Sequence, residues 1–223
     1  MRTVGYLVLA LITAVAMSAC GDDDGGQATE ATSSPESASK APVEPTTAGD
    51  EAFPEGTHTS EGFGIPVTLT VGDGWKRPVD DPDFFALEYP RKVDAPFGYI
   101  AFLLPTQTYN PTESNLDLGP PPTDFVGWIT NHRLLNIVDT KDVTLGGLEG
   151  TELEITTSTV SDFPLFKLSD GDYELRFEDH IRMLVLNAGG SQVLVTYGSD
   201  LPTNFDDFEP MAEDVLATVE FAE

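Results

Sequence analysis

The sequence predicts an α+β domain, in which an antiparallel β-sheet is sandwiched by two or more helices, after an N-terminal signal peptide and a disordered linker. Three observations favour this class. Beyond residue 58, several segments have the pattern of β-strands: some have an apolar residue at every second position, and others are apolar on both faces. Two further segments have helical period. Gly-Gly pairs separate neighbouring apolar runs, as in tight hairpins. The length of 223 residues suits one domain.

The N-terminus has the pattern of a secretory signal. Arg2 supplies a positive charge, and Val4–Met17 is an apolar stretch without any charge. The stretch is short for a membrane span and ends in small residues typical of a cleavage site. We therefore assign residues 1–19 to a signal peptide.

The lone cysteine follows this signal directly. Met17, Ser18 and Ala19 precede Cys20 and resemble the lipobox of bacterial lipoproteins, although such families usually have Leu at the position of Met17. The resemblance implies that the Cys20 thiol receives a diacylglyceryl group and becomes the mature N-terminus. The alternative is an ordinary secretory peptide that leaves Cys20 as a free thiol.

Residues 20–57 are predicted to be the lipidated cysteine and a disordered acidic linker. Gly21–Thr57 contains nine acids, Lys40 as its one basic Lys or Arg, and Phe53 as its one aromatic residue. Such a composition buries too little apolar surface to offset the entropy of ordering. A flexible coil of this length spans about 30–37 Å on average.

Residues 58–223 are predicted to be a single globular domain. Ile65–Val71 alternates with period two and is expected to be a strand with one covered face. Other runs are apolar on both faces and therefore need cover on both sides. The further strand candidates are Phe84–Tyr89, Gly98–Leu104, Asp142–Leu145, Glu152–Thr157, Ile181–Leu186 and Gln192–Tyr197. Gly146-Gly147 and Gly189-Gly190 are predicted hairpin turns.

Two helices are predicted. Thr123 or Asp124 can cap the first, whose apolar face holds Phe125, Trp128, Ile129 and His132. Thr203 or Asn204 can cap the second, whose apolar face holds Phe208, Met211, Ala212, Val215 and Val219.

Several segments together resemble actinobacterial secreted lipoproteins of the mycobacterial LpqN/LpqT type. They are Pro66–Trp75, Phe125–Ile129, Val143–Thr151 and Phe205–Val219. The resemblance covers most of residues 63–222 and rests on packing and turn residues. It implies a Mog1/PsbP-like domain and an extracytoplasmic location, and it brings no catalytic motif.

Charge and composition exclude several functions. The chain has 38 Asp and Glu against 11 Lys and Arg, and residues 58–223 alone carry a net charge of −20. Such a surface repels phosphate backbones, so we expect no nucleic-acid partner. One cysteine and three histidines do not supply a zinc set. We predict no catalytic residue, no cofactor and no metal site.

Histidines and acidic runs are the remaining candidates for chemistry. His180 follows Asp179, but neighbouring strand residues point to opposite faces, so Asp179 is not expected to orient it. We interpret His132 as a structural cation near a helix C-terminus. Two acidic runs suit Ca²⁺ in principle, but neither fits an EF-hand loop, and we interpret both as solvated loops. They are Asp80, Asp81 and Asp83, and Asp170, Asp172 and Glu174.

No G-x-S-x-G elbow is present, and Gly198-Ser199-Asp200 is interpreted as a turn. Aromatic residues could line a pocket for a lipid or other apolar ligand, but we favour a core role for them. They are Trp75, Phe84, Phe85, Tyr89, Phe97, Tyr99, Phe102 and Trp128.

These observations favour a non-enzymatic lipoprotein on the outer face of the cell membrane. Its expected partners are the lipid bilayer, through acylated Cys20, and an envelope protein or an apolar ligand. The alternative is a cell-wall hydrolase that uses an Asp/Glu pair. A third hypothesis is a domain that assists folding or assembly of neighbouring proteins.

Overall fold

The computed structural model describes residues 53–90, 97–112, 115–176, 179–199 and 202–222. These residues belong to one compact unit. The predicted signal peptide, Cys20 and most of the predicted linker lie outside the described residues. Phe53 is buried, and its N–H donates to the Trp75 carbonyl at 2.8 Å. The fold thus includes residues 53–57, which the sequence assigned to the linker.

The described residues form fourteen strands and two helices. The strands are β1 (Gly56–Thr59), β2 (Val67–Val71), β3 (Lys76–Asp81), β4 (Phe84–Tyr89), β5 (Gly98–Leu103), β6 (Gln107–Pro111), β7 (Leu116–Gly119), β8 (Leu135–Leu145), β9 (Leu148–Thr157), β10 (Phe163–Leu168), β11 (Gly171–Leu175), β12 (His180–Ala188), β13 (Ser191–Ser199) and β14 (Glu220–Phe221). The helices are α1 (Phe125–Thr130) and α2 (Pro202–Leu216).

Three antiparallel sheets contain these strands. A seven-stranded central sheet has the order β3-β4-β5-β13-β12-β9-β8. A four-stranded sheet has the order β11-β10-β6-β7, and a three-stranded sheet has the order β1-β2-β14.

The predicted fold class is wrong. Strands make up 56% of the described residues and helices 13%, so the domain is mainly β rather than an α+β sheet sandwiched by helices. Both faces of the central sheet are covered, one by α2 together with β2 and the other by β10, β11 and α1. Strands of the smaller sheets such as β6, β7 and β11 are short or contain Pro, Gly and charged residues, and they therefore lack a clear apolar period.

Each face of the central sheet has its own core. On one face, strand residues such as Ile100 and Val195 pack with Phe208 of α2 and Leu69 of β2. On the other face, residues such as Met183 pack with β10, β11 and α1. Strands with two apolar faces thus have two buried faces, as their sequences predict.

The predicted local elements are largely confirmed. Gly146-Gly147 joins β8 to β9, and Gly189-Gly190 joins β12 to β13, with all four glycines at positive φ. Asp124 caps α1, because its carboxylate accepts the Gly127 N–H at 2.8 Å.

The predicted cap of the second helix is wrong, since α2 begins at Pro202 and therefore includes Thr203 and Asn204. The apolar face of α2 lies directly on the central sheet. A Cβ added to Gly98 in β5 would overlap the Phe208 ring, so this crossing requires glycine.

Candidate functional site

Cys20, the predicted lipid-attachment residue, lies outside the described residues. Within the residues that the structure describes, no helix has both the length and the apolar character needed to cross a bilayer. The candidate sites on the described residues include one ion-pair cluster, one small pocket and two open grooves.

The ion-pair cluster, which we call the Arg182 cluster, lies where β8, β9 and β12 approach α2. Its members are Lys141, Glu152, Glu154, His180, Arg182 and Glu209. The β9–β12 register places Glu154 directly opposite Arg182, with Glu152 two residues farther along the same face. Such direct and diagonal neighbours are within reach of long side chains.

Arg182 is the centre of this cluster. Its Nη1 donates to Glu152 Oε1 at 2.9 Å, and its Nη2 lies 3.4 Å from Glu154 Oε2. Its Nε lies 2.6 Å from Glu209 Oε1 on α2, an ion-pair distance, although the N–H is not directed at that oxygen and makes no hydrogen bond. Lys141 Nζ adds a second cation, 2.9 Å from Glu152 Oε1.

His180 belongs to the same cluster. Its Nε2 lies 2.8 Å from Glu154 Oε1, and its ring stacks on Phe205 of α2 with centroids 4.2 Å apart. Asp179 instead accepts the Arg176 N–H at 2.6 Å. The expectation that Asp179 does not orient His180 agrees with this geometry.

The carboxylates of the Arg182 cluster already have partners. Any substrate that used Glu152 or Glu154 would have to displace Arg182, Lys141 or His180 from them. The geometry therefore favours a structural role, in which the cluster attaches α2 to the central sheet.

The small pocket has a volume of about 120 Å³ and lies between β4, β5 and β13 on one side and β11 on the other. Its side chains are Glu88, Phe97, Tyr99, Tyr173, Glu174, Arg176, Asp179 and Ser199. This volume is well below the ~300–1,000 Å³ of typical ligand sites.

Two tyrosines form the polar wall of this pocket. The Tyr173 hydroxyl lies 3.1 Å from the Tyr99 hydroxyl and 3.2 Å from Thr196 Oγ1. Burial raises the pKa of Tyr173 to about 12. Burial, together with the negative charge of a neighbouring phenolate or of Asp179, raises the pKa of Tyr99 well above its ordinary value. Both hydroxyls therefore stay protonated at neutral pH and serve as hydrogen-bonding groups rather than as bases.

The acidic runs hold loops together. Asp80 accepts the Glu61 and Gly62 N–H groups, both at 3.1 Å. Asp83 is buried and accepts the Ser169 N–H at 2.6 Å and its hydroxyl at 2.7 Å. The solvated-loop interpretation is therefore wrong for Asp83.

In the second acidic run, Asp172 lies 3.1 Å from Lys167 Nζ and accepts the Tyr109 hydroxyl at 2.9 Å. Among the described residues, no three His, Cys, Asp or Glu side chains are grouped as a metal ion would require.

His132 is structural, but it is not the cation that the sequence predicted. It follows the C-cap of α1 and is buried, with its ring centroid 4.8 Å from that of Trp128. Its Nε2 lies 3.1 Å from the Tyr109 carbonyl, and its Nδ1 has no hydrogen-bond partner among the residues that the structure describes. Burial lowers the pKa of His132 despite that carbonyl. The ring is thus neutral at pH 7, with its proton on Nε2.

Most of the predicted aromatic residues belong to the cores or pack against them, since Phe84, Tyr89 and Trp128 are partly buried against the two clusters. Trp75, Phe85 and Phe102 are buried, whereas Phe97 and Tyr99 line the small pocket. Gly198 and Ser199 were interpreted as a turn, but they are the last residues of β13, because the strand continues to pair with β12 and β5.

Two open grooves also lie on the described surface. The first, the Trp75 groove, has a volume of about 420 Å³ and lies between β1, β2 and α2. The second, the Pro121 groove, has a volume of about 430 Å³ and is lined by Leu104, Pro105, Pro121, Pro122, Thr123, Phe125, Gly190, Ser191 and Gln192.

Sequence reasoning missed the Arg182 cluster and both grooves. The alternation of Glu152 with Glu154, and of His180 with Arg182, was a usable signal, because residues two apart share one face of a strand. These side chains meet only because β9 pairs with β12. The spacing of residues within one strand does not show which other strand it pairs with.

Comparison with known proteins gives little further information. No family model matches the chain, and no curated protein matches it. A solved structure of a protein of unknown function from Pseudomonas aeruginosa is 11% identical, with a TM-score of 0.41, covering 73% of this chain and 95% of that one.

A second solved structure, from Bacteroides thetaiotaomicron, is also 11% identical, with a TM-score of 0.36. The match covers 70% of this chain and 45% of that one. At this level of similarity neither structure supports an argument about the function of this chain.

Proposed function

We propose that this protein is a lipoprotein anchored to the outer face of the cell membrane, and that its β domain is a non-catalytic module that binds an envelope component. One observation carries the proposal: the sole cysteine, Cys20, directly follows an apolar signal and two small residues. The resemblance to LpqN/LpqT-type lipoproteins supports the same location.

The anchor has a simple physical basis. Acyl chains contribute about 0.8 kcal/mol per buried methylene, so two or three long chains hold a protein on a membrane without any protein contact. The acidic linker would then separate the domain from the lipid surface.

The described domain supports binding rather than chemistry in two respects. The carboxylates and cations of the Arg182 cluster are paired with one another. By contrast, the Trp75 groove and the Pro121 groove, of about 420 and 430 Å³, are open to solvent and fall within the size range of ligand sites.

Replacement of Cys20 tests the anchor. We expect the wild-type chain to sediment with membranes and to have the mass of a diacylglyceryl-modified mature protein. A Cys20→Ser variant should lose both properties, since serine has no thiol to modify. Fractionation and intact-mass measurement provide the readouts, with Ser18→Ala as the matched control. A Cys20→Ser protein that stays on membranes with unchanged mass would refute the anchor.

Crosslinking on intact cells tests the binding role. We expect the wild-type protein to capture an envelope component that survives purification. Recovery of the bare protein, both from crosslinked cells and by native mass spectrometry, would show that the binding role is wrong.

A further inference from the structure

The Trp75 groove has an apolar floor and firmly connected walls. Val71, Trp75 and Val215 are buried beneath it, and Met211 of α2 is half-buried. The Thr218 hydroxyl accepts the Thr70 N–H at 2.8 Å, which connects the end of α2 to β2. The groove is therefore a fixed surface between two elements.

Three carboxylates surround this floor. Glu55 precedes β1, Asp73 follows β2, and Asp214 lies on α2, and all three are exposed. No Lys, Arg or His is among the described residues that line the groove. Within the described residues, none of these three carboxylates makes a hydrogen bond or an ion pair.

The Pro121 groove offers a useful contrast. Its volume is nearly the same, but the described residues that line it include no charged side chain. The two grooves therefore differ in charge rather than in size, and a cationic ligand would distinguish them.

Charge also decides between the occupants of the Trp75 groove. The part of the chain's own linker that precedes the fold, residues 21–52, carries eight acids against one lysine, and a second copy of residues 58–223 brings a net charge of −20. Both would be repelled by the three rim carboxylates. A cationic partner would be attracted to the rim.

We propose that the Trp75 groove binds a cationic peptide segment of an envelope protein. Lysine or arginine side chains of the segment meet Glu55, Asp73 and Asp214, and a neighbouring apolar side chain packs on Met211 and the edge of Trp75. This inference rests on the binding role proposed above and specifies the partner and the surface.

Calorimetric titration of the mature chain carrying Cys20→Ser tests this assignment. The probes are a short peptide of alternating lysine and leucine and a glutamate–leucine peptide of the same length. We expect only the lysine peptide to bind, with an affinity that falls as salt is added. Binding of both peptides, or of neither, would overturn the proposal.

Two charge variants locate the site. Glu55→Gln, Asp73→Asn and Asp214→Asn together should weaken binding of the lysine peptide about tenfold or more, because three opposite charges are lost from the contact. The matched control removes three exposed carboxylates outside the groove, Asp117, Asp142 and Asp207, as asparagine substitutions. It has the same net charge and should bind nearly as the wild type does.

The outcomes separate the two proposals. Equal affinity in the groove variant and the control variant would refute the Trp75 groove. If the groove variant and the control variant both still captured an envelope component in crosslinked cells, the protein would bind that component through a surface other than the Trp75 groove. If no component were captured from cells at all, the binding role itself would fail.

Discussion

At the scale of single residues, chemistry depends on which atoms face each buried polar group. His180 is paired with Glu154 across two strands rather than with its neighbour Asp179. His132 has one ring nitrogen near a carbonyl and the other without a partner. Protonation of His132 would therefore bury a charge and a donor that has no acceptor.

The stability of the domain should depend on pH through His132. Its pKa is lowered in the fold by burial, which outweighs the Tyr109 carbonyl, and the nearby Arg133 charge lowers it further. An unfolded histidine titrates near pH 6.5. As the pH falls below 6.5, His132 is protonated in the unfolded chain before it is protonated in the fold. The contribution of neutral His132 to the unfolding free energy is therefore complete above pH 6.5, and it is lost as the pH falls towards the lower pKa of the folded state.

Urea unfolding of the wild type and of His132→Gln between pH 7.5 and 5 measures this effect. Carboxylates titrate in both proteins, so the difference between their unfolding free energies isolates the histidine. We expect the unfolding free energy of the wild type to exceed that of His132→Gln by less as the pH falls. Parallel pH profiles would show that His132 does not titrate in this way.

At the scale of elements, α2 is held to the central sheet by packing and by charge. Phe208 occupies the space left by Gly98, and Glu209 lies near Arg182. The side chain of Glu152 is only 8% exposed and depends on Arg182 and Lys141 for its partners. Removal of one partner of a buried ion pair leaves an uncompensated charge.

Replacement of Arg182 by methionine should lower the unfolding free energy by about 2–4 kcal/mol. Methionine keeps the apolar stem but removes the contacts with Glu152, Glu154 and Glu209. Lys141→Met is the matched control, because Lys141 is 49% exposed and its loss should cost less than about 1 kcal/mol. Equal costs for the two variants in urea unfolding would contradict a central role for Arg182.

The elements differ in how far their sequences predict them. Gly146-Gly147 and Asp124 act within a few residues, so their turn and cap are evident from local pattern. The strands β6 and β7 pair through residues such as Asn110, Asp117 and Gly119, which have low strand propensity. Their assignment depends on pairing with β10, whose residues pack against the central sheet.

At the scale of the whole molecule, a mainly β domain in three layers carries a large negative charge. Residues 58–223 have 29 acids and nine bases, Lys and Arg counted. Like charges on one compact surface repel one another and oppose folding. Ion pairs such as Lys167–Asp172 offset only a small part of this repulsion.

Added salt should therefore stabilise the domain. Screening shortens the range of repulsion to ~10 Å at 0.1 M salt and ~3 Å at 1 M. We expect the midpoint temperature of thermal unfolding to rise with NaCl concentration, by ~2–4 °C for each kcal/mol gained in unfolding free energy. The variant with Asp117, Asp142 and Asp207 replaced by asparagine should have a higher midpoint at low salt and a weaker salt dependence. A midpoint that falls with salt would indicate that ion pairs dominate instead.

The sequence by itself determines the features that depend on neighbouring residues: the Gly-Gly hairpins, the cap of α1 and the strands with two apolar faces. It also predicts acylation of Cys20, which stays a prediction. Only the tertiary structure decides what covers the central sheet, which side chains pair with Arg182 and His180, and where the Trp75 groove forms. The reason is physical. Turn geometry and capping act over a few residues, whereas a pair such as His180 and Glu154 spans 26 positions and requires the register of two strands.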